Sequence, residues 1–292
     1  MKNFYIKIFN YFSHFYLFIF GRRFFYKFNL ILLKLILKSI GYQNYGNYNF
    51  TGEKSFVKSI KKFNPKVCVD IGAHTGSYTK LIINELDCKV ISFEPNKYSF
   101  LKLKKLKSIF SNKIYPFNYA ITNQNKNLYL YYGDRLSQLA SLSKNLSKIN
   151  FIKNSNKNKI LVKGITLDNF FNKHKNKFSR IDFIKIDVQG YNLEVLKGSN
   201  KALEKAVGIE IECEFKEIYK NQSLFRDVDE YLSKHNFELC DFTDIVRWSE
   251  KVNDEKKQID KIDNQGEIIF VNALYIKKNL QHEKIDTKKL KK

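Results

Sequence analysis

The sequence predicts an α/β protein, a mostly parallel sheet with helices on both faces. Three observations point there. From residue 66 onward, short apolar runs alternate with segments whose apolar residues recur at helical spacing, as parallel strands joined by crossover helices do. The first run, Val67-Cys68-Val69-Asp70-Ile71, feeds straight into Gly72-Ala73-His74-Thr75-Gly76 and then into Tyr78, Leu81, Ile82 and Leu86 at helical spacing. The second run, residues 89–93, stops at Glu94-Pro95-Asn96, so both strands end in polar turns.

The other elements follow in order. A basic helix runs to about Ser108, and residues 114–120 read as a third strand. Residues 127–167 are less regular: 128–132 as an extra strand, 137–142 as a polar loop, and 145–158 as an Asn/Lys-rich connector. The rhythm returns with a strand at 181–187, Gly190 and a helix ending at Gly198. Residues 207–215 form a further strand and 224–235 a helix, and 237–243 pairs with 267–276 as a closing antiparallel ribbon. Residues 279–292 read as a charged tail, which leaves 51–278 as the folded domain.

Residues 1–50 are different in kind. They contain no acidic residue, and Lys2, Lys7, Arg22, Arg23, Lys27, Lys34 and Lys38 punctuate a run of aromatic and aliphatic side chains. The longest uncharged run, 8–21, is too short to span a bilayer, which takes roughly 20 residues. Two readings stand: helices that pack on the domain, or a basic aromatic segment lying on an anionic membrane surface.

The net charge of +23 invites a nucleic-acid reading. The lysines are scattered rather than gathered in a stripe, and they accompany a general excess of Asn, Ile, Phe and Tyr. A solvated basic surface with weak, salt-sensitive affinity for polyanions is the simpler account, with no specific nucleic-acid partner. The four cysteines are widely spaced, and Cys68 and Cys213 lie in apolar strands, as suits buried thiols in a reducing cytoplasm.

A strand entering a Gly-x-x-x-Gly turn and a helix N-terminus lets a ligand approach the backbone closely. Ala73 replaces the second glycine of a dinucleotide fingerprint, and the Gly-Lys-Ser/Thr of a phosphate loop is absent. The turn suits a ligand without phosphate groups, such as S-adenosyl-L-methionine (SAM). Asp70, Gly72, Ala73, His74 and Gly76 are the candidate loop residues. Asp70 is placed to orient the ligand's amino group or the loop itself. Glu94 is placed to accept from both ribose hydroxyls, and Asn118 either meets the adenine edge or serves a turn.

With these residues in view, the chain resembles the FkbM family of SAM-dependent methyltransferases. The resemblance rests on residues 69–76, Phe93-Glu94-Pro95, Thr166-Leu167-Asp168 and Ile184-Lys185-Ile186-Asp187-Val188-Gln189-Gly190 with Glu194-Val195-Leu196-Lys197-Gly198. Residues 137–142 and Ile209-Glu210-Ile211-Glu212 add to it. It implies a Rossmann-like class I methyltransferase fold with a mostly parallel seven-stranded sheet, here preceded by a helical aromatic and basic extension. It also implies O-methylation of sugars or polyketides. His74 stands where the family often has Asn, and Gln189 where Glu is common.

For hydroxyl methylation, Asp187 is the first choice as base or acceptor-orienting group, with helix capping or a contact to the cofactor's methionine end as the alternative. Glu210, Glu212 and Glu214 share one strand face and need partners if buried. Glu212 is the second catalytic candidate; Glu212 or Glu214 with Asp187 as a divalent-metal site is the alternative, and a salt-bridged role is the plainer reading of the set. We assign no metal. By family analogy Ser141 lines the acceptor site, and Tyr191 forms an acceptor-side wall or packs in the core. The expected acceptor is a sugar or glycan hydroxyl in envelope polysaccharide synthesis. The expected location is the cytoplasm, with peripheral contact at the anionic membrane face. The competing readings are an RNA- or DNA-directed methyltransferase and a non-catalytic, membrane-docked partner of an envelope-assembly complex.

Overall fold

The computed structural model describes residues 2–39, 52–135, 138–143, 157–248 and 267–278. The tail 279–292, Ser137 and most of the Asn/Lys-rich connector lie outside the described residues.

The chain opens with two helices, α1 (Lys2–Phe20) and α2 (Tyr26–Ser39). The folded domain then runs α3 (Glu53–Ile60), β1 (Val67–Ile71), α4 (Ser77–Leu86), β2 (Lys89–Phe93), α5 (Lys97–Lys105), β3 (Ile114–Phe117), β4 (Ala120–Ile121), β5 (Asn127–Tyr132) and β6 (Asn158–Ile165). It continues with α6 (Leu167–Lys173), β7 (Phe183–Ile186), α7 (Asn192–Lys197), α8 (Asn200–Lys205), β8 (Gly208–Glu214), α9 (Phe225–Lys234), β9 (Phe237–Trp248) and β10 (Glu267–Lys277).

Seven strands form one sheet in the order β3-β2-β1-β7-β8-β10-β9. Neighbours from β3 to β8 are parallel, and β10 runs antiparallel to both β8 and β9. This is the Rossmann-like class I methyltransferase arrangement. Strand alternation splits the core in two. Val69, Ile71, Ile91, Phe93, Ile184, Ile186, Ile209 and Ile211 pack against α6, α7, α8 and α9 on one face. Cys68, Val90, Ile114, Leu274 and Ile276 pack against α3, α4 and α5 on the other. Every residue of β1, β7 and β8 is buried, as strands covered on both faces must be.

Three departures from the sequence reading have physical causes. The expected strand 114–120 breaks, because the Asn118 amide donates to the carbonyls of Glu94 (2.7 Å) and Pro95 (3.1 Å) and turns the chain off the sheet. The segment that follows, β4, instead pairs with β6 in a small three-stranded sheet, β4-β6-β5. β6 itself is hard to read locally. Only Val162, Gly164 and Ile165 are buried, and its identity comes from a six-residue register with β5. The ribbon strand β9 also runs to Trp248, past the expected end at 243.

Among the described side chains of α1 and α2, none is buried.

Candidate active site

β2 and β3 lie on one side of β1, and β7 and β8 lie on the other. Ligands of open α/β sheets bind where strand order reverses, outside the carboxyl ends of the strands. The main cavity lies there, lined by the ends of β1, β2, β7 and β8, the start of α4, and Tyr219 and Leu139 from later loops.

The loop after β1 is fixed by backbone bonds. The amides of Gly72 and Ala73 both donate to the Phe93 carbonyl at 3.0 Å, and Gly76 donates to Ala73 at 2.8 Å. Gly72 adopts φ +85°, and a Cβ there would lie 1.8 Å from the Asp187 carbonyl oxygen, so the β1 turn presses on the end of β7. His74 is also left-handed, at φ 48°, a region in which His, Asn and Asp are enriched among non-glycine residues. Glu94 ties the two turns together. Its carboxylate accepts from the His74 amide and from the Asn96 amide, both at 2.7 Å. Burial raises the Glu94 carboxyl to about 7, against the two amide bonds that pull it down.

Beneath the cavity, strand register builds a polar row. Ser92, Asp70, Lys185 and Glu210 stand side by side on β2, β1, β7 and β8. Asp70 accepts from the Thr79 hydroxyl, which also meets Ser92 at 2.9 Å. Lys185 lies 3.3 Å from Glu210 and donates to Asn272 at 2.9 Å, and Asn272 donates to Glu53 at 3.1 Å. The Tyr78 hydroxyl donates to Glu210. Burial alone would lower the Lys185 ammonium, but Glu210, Asp187 and Glu53 more than reverse it and keep it charged. Burial raises Asp70 to about 6, with the Thr79 bond and Lys185 opposing. A buried charge row of this kind holds only because each member has a partner.

The wall above the row is acidic. The Gln189 amide nitrogen donates to Asp187 at 3.0 Å and to Glu212 at 2.8 Å, and its carbonyl accepts from the Tyr219 hydroxyl at 2.8 Å. Gln189 and Gly190 are both left-handed, at φ 53° and 83°. A Cβ on Gly190 would lie 2.5 Å from the Tyr219 ring, so glycine is what lets that ring seat. Asp187 is half-buried, whereas Glu212 and Glu214 are buried. Burial pushes Glu212 up, and Asp187 and Glu214 add to it; burial also takes Glu214 to about 8. One Glu214 oxygen has no hydrogen-bond partner within the protein.

The structure brings Asp70, Gly72, Ala73, His74, Glu94, Asp187 and Glu212 to one cavity. Four expected site residues lie outside its lining. Gly76 caps α4, and a Cβ there would strike the Leu103 and Leu106 side chains, so it faces the core. Asn118 braces the Glu94–Pro95 turn through its amide nitrogen. Ser141 is buried and donates to the Gln189 carbonyl at 2.6 Å, which pins its loop to the turn after β7. Tyr191 sits at the start of α7, while Tyr219 is one of several aromatic residues in the lining, with Tyr78, Phe93, Tyr119 and Phe270.

Lys185, Asn272, Glu53 and Tyr219 complete the site and escaped the sequence reading. One signal pointed to Lys185: three carboxylates on one buried face demand a buried cation, and Lys185 interrupts the apolar run at 183–186. Among the described residues, no group of three or more His, Cys, Asp or Glu is arranged to hold a metal ion.

The methyltransferase FkbM domain model matches residues 70–239, more than half of the chain. No curated protein matches the sequence. Among solved structures, the chain is similar to TehB from Haemophilus influenzae (15% identity, TM-score 0.44, covering 80% of this chain and 64% of that one). It is also similar to an rRNA methylase from Streptococcus thermophilus (11% identity, TM-score 0.40, 77% and 93% covered). A third is magnesium protoporphyrin IX methyltransferase from Synechocystis with bound SAM (10% identity, TM-score 0.38, 85% and 96% covered).

Proposed function

Since the chain belongs to the FkbM family of SAM-dependent methyltransferases, we propose that it methylates a hydroxyl group of a sugar or glycan. The observation that carries this reading is the mixed acceptor and donor character of the cavity wall. Asp187 offers lone pairs, while burial holds Glu212 and Glu214 toward their protonated forms, so the wall both accepts and donates hydrogen bonds. A polyhydroxylated acceptor, whose hydroxyls do both, matches such a wall. A nucleic-acid backbone would bring phosphates to a cavity lined by Glu53, Asp70, Glu94, Asp187, Glu212, Glu214 and Asp244, with Lys185 the one lysine and no arginine among the described lining residues. That charge balance disfavours RNA or DNA as the acceptor despite the basic surface.

The same lining fits the cofactor. SAM is cationic at its sulfonium and ammonium and has no phosphate, so an acidic cavity with a glycine-containing loop suits it. Asp70, Glu94 and the backbone of residues 72–74 are the groups that would hold it. When bound it supplies an electrophilic methyl group. The chain's own work is then to orient the acceptor oxygen and accept its proton. Asp187 does both in this reading, because it is the least buried of the wall carboxylates and Gln189 fixes one of its oxygens. Gln189, neutral and bonded on both sides, positions Asp187 and Glu212 and takes no proton. Glu212 orients a second hydroxyl of the acceptor.

The raised carboxyls at Asp70 and Glu94 set a pH dependence. SAM binding favours their ionised forms, whose folded-state values are about 6 and about 7. Affinity therefore rises with pH through roughly 6 to 7 and levels off above that. The unliganded protein shows the opposite sign: the stability from Glu94 is fully present below its unfolded value of 4.5 and is lost as pH rises through about 7. Calorimetric titration of the wild type and Glu94→Gln across this range checks both. A flat wild-type affinity, or a mutant that keeps the slope, would remove Glu94 from the SAM site.

The acceptor assignment is tested by incubating the protein with SAM and a panel of free sugars, oligosaccharides and structured RNA. S-adenosylhomocysteine release and the position of the new methyl group are followed by mass spectrometry. An O-methyl sugar is the expected product. Methylated RNA with no sugar product would overturn the proposal.

A further inference from the structure

The first two helices form a hairpin with its own seam. The Tyr16 hydroxyl donates to Asn29 at 2.6 Å, and Asn29 donates to the Phe20 carbonyl at 2.7 Å. The Phe20 ring lies 5.0 Å from Phe25 and 5.8 Å from Phe28. These contacts close the turn and occupy one side of α1.

The rest of α1 sorts by helical period. Lys7, Asn10 and His14 recur at i, i+3 and i+7 and form a polar stripe. Ile8, Tyr11, Phe12 and Phe15, at i, i+3, i+4 and i+7, lie on a different side and are exposed, Tyr11 at 81% and Phe12 at 70%. Phe24, in the turn beside Arg22 and Arg23, is 88% exposed. A water-soluble surface rarely carries this much contiguous aromatic area without a use.

Charge identifies the occupant. The two helices and their turn hold seven Lys and Arg and no Asp or Glu, although the chain as a whole has 29 acids. Neither helix is long and apolar enough to cross a membrane. We infer that the hairpin is a peripheral anchor that lies on the surface of an anionic bilayer. The α1 aromatic face and Phe24 enter the headgroup–acyl boundary, while Arg22, Arg23 and Lys27 meet lipid phosphates. A second copy of the chain would bring a like-charged face to this one. The inference does not rest on the identity of the methyl acceptor.

Co-sedimentation of the full-length protein with phosphatidylglycerol-containing vesicles, against phosphatidylcholine alone, tests it. The expected result is binding to the anionic vesicles that weakens with added salt. Arg22→Ser with Arg23→Ser lowers the partition constant about thirtyfold, at about 1 kcal/mol per basic residue. Phe12→Ser with Phe15→Ser lowers it more than tenfold. The arginine pair lies outside the hairpin seam, so it remains informative if the aromatic pair loosens α1. Equal binding by wild type and both double variants, or no binding by the wild type, overturns the anchor. A lipid-free dimer that Phe12→Ser with Phe15→Ser dissociates assigns the face to self-association and overturns it as well.

Discussion

Asp187→Asn is expected to lower kcat by about 10²- to 10⁴-fold, the usual contribution of a general base, while SAM affinity changes by no more than a few-fold. The substitution is nearly isosteric. The side-chain carbonyl of the introduced asparagine still accepts from Gln189, so the turn that joins position 187 to Gln189, Glu212 and Tyr219 keeps its bonds. Lys185, 3.9 Å from Asp187, retains Glu210 and Asn272 as closer partners and stays in place. Only the capacity to take a proton is removed. Single-turnover measurement of methyl transfer, paired with calorimetric SAM binding, separates the two quantities. If kcat holds while SAM affinity collapses, Asp187 is a cofactor contact, and Glu212 becomes the group to examine as base.

Gly72→Ala is expected to destabilise the fold by roughly 2 to 5 kcal/mol and to abolish measurable SAM binding. Two effects combine. The backbone at φ +85° is strained for any residue with a Cβ, and that Cβ would lie 1.8 Å from the Asp187 carbonyl oxygen and 2.8 Å from its carbon. The obstacle is backbone at the end of a central strand, which has little freedom to yield. Relief has to come from moving the loop after β1 or the turn after β7, and either movement opens the cavity. Gly208→Ala is a fair control, since its Cβ would meet nothing closer than 3.4 Å. Thermal unfolding of the two variants decides the matter: equal, small losses would show that the β1 turn is more compliant than its geometry indicates.

Much of the site was legible because it depends on local rules. Strand ends before Gly72, Glu94 and Asp187 follow from apolar runs stopping at turn or polar residues. The sheet architecture follows from runs alternating with helical periods, so the cavity's position could be read without a partner for any residue. The sharing of one buried face by Glu210, Glu212 and Glu214 follows from two-residue periodicity, and so does their need for a counter-charge. The counter-charge itself, Lys185, was visible only as a lysine in an apolar run, with nothing local to say that it faces Glu210.

What the tertiary structure alone decided are contacts between residues far apart in sequence. Asn118 and Ser141 have side chains suited equally to a ligand or to a carbonyl. The packing gave them carbonyls at Glu94, Pro95 and Gln189. Tyr219 joins the cavity lining because the left-handed turn at Gln189 and Gly190 leaves room for a ring from beyond β8, a contact no local pattern encodes. β6 became a strand only by pairing with β5 across about thirty residues and with β4 on its other edge. Periodicity reports which face a side chain takes, because it is fixed by the backbone of one element. Which neighbour fills that face depends on register and turn geometry, and those are settled only when the elements meet.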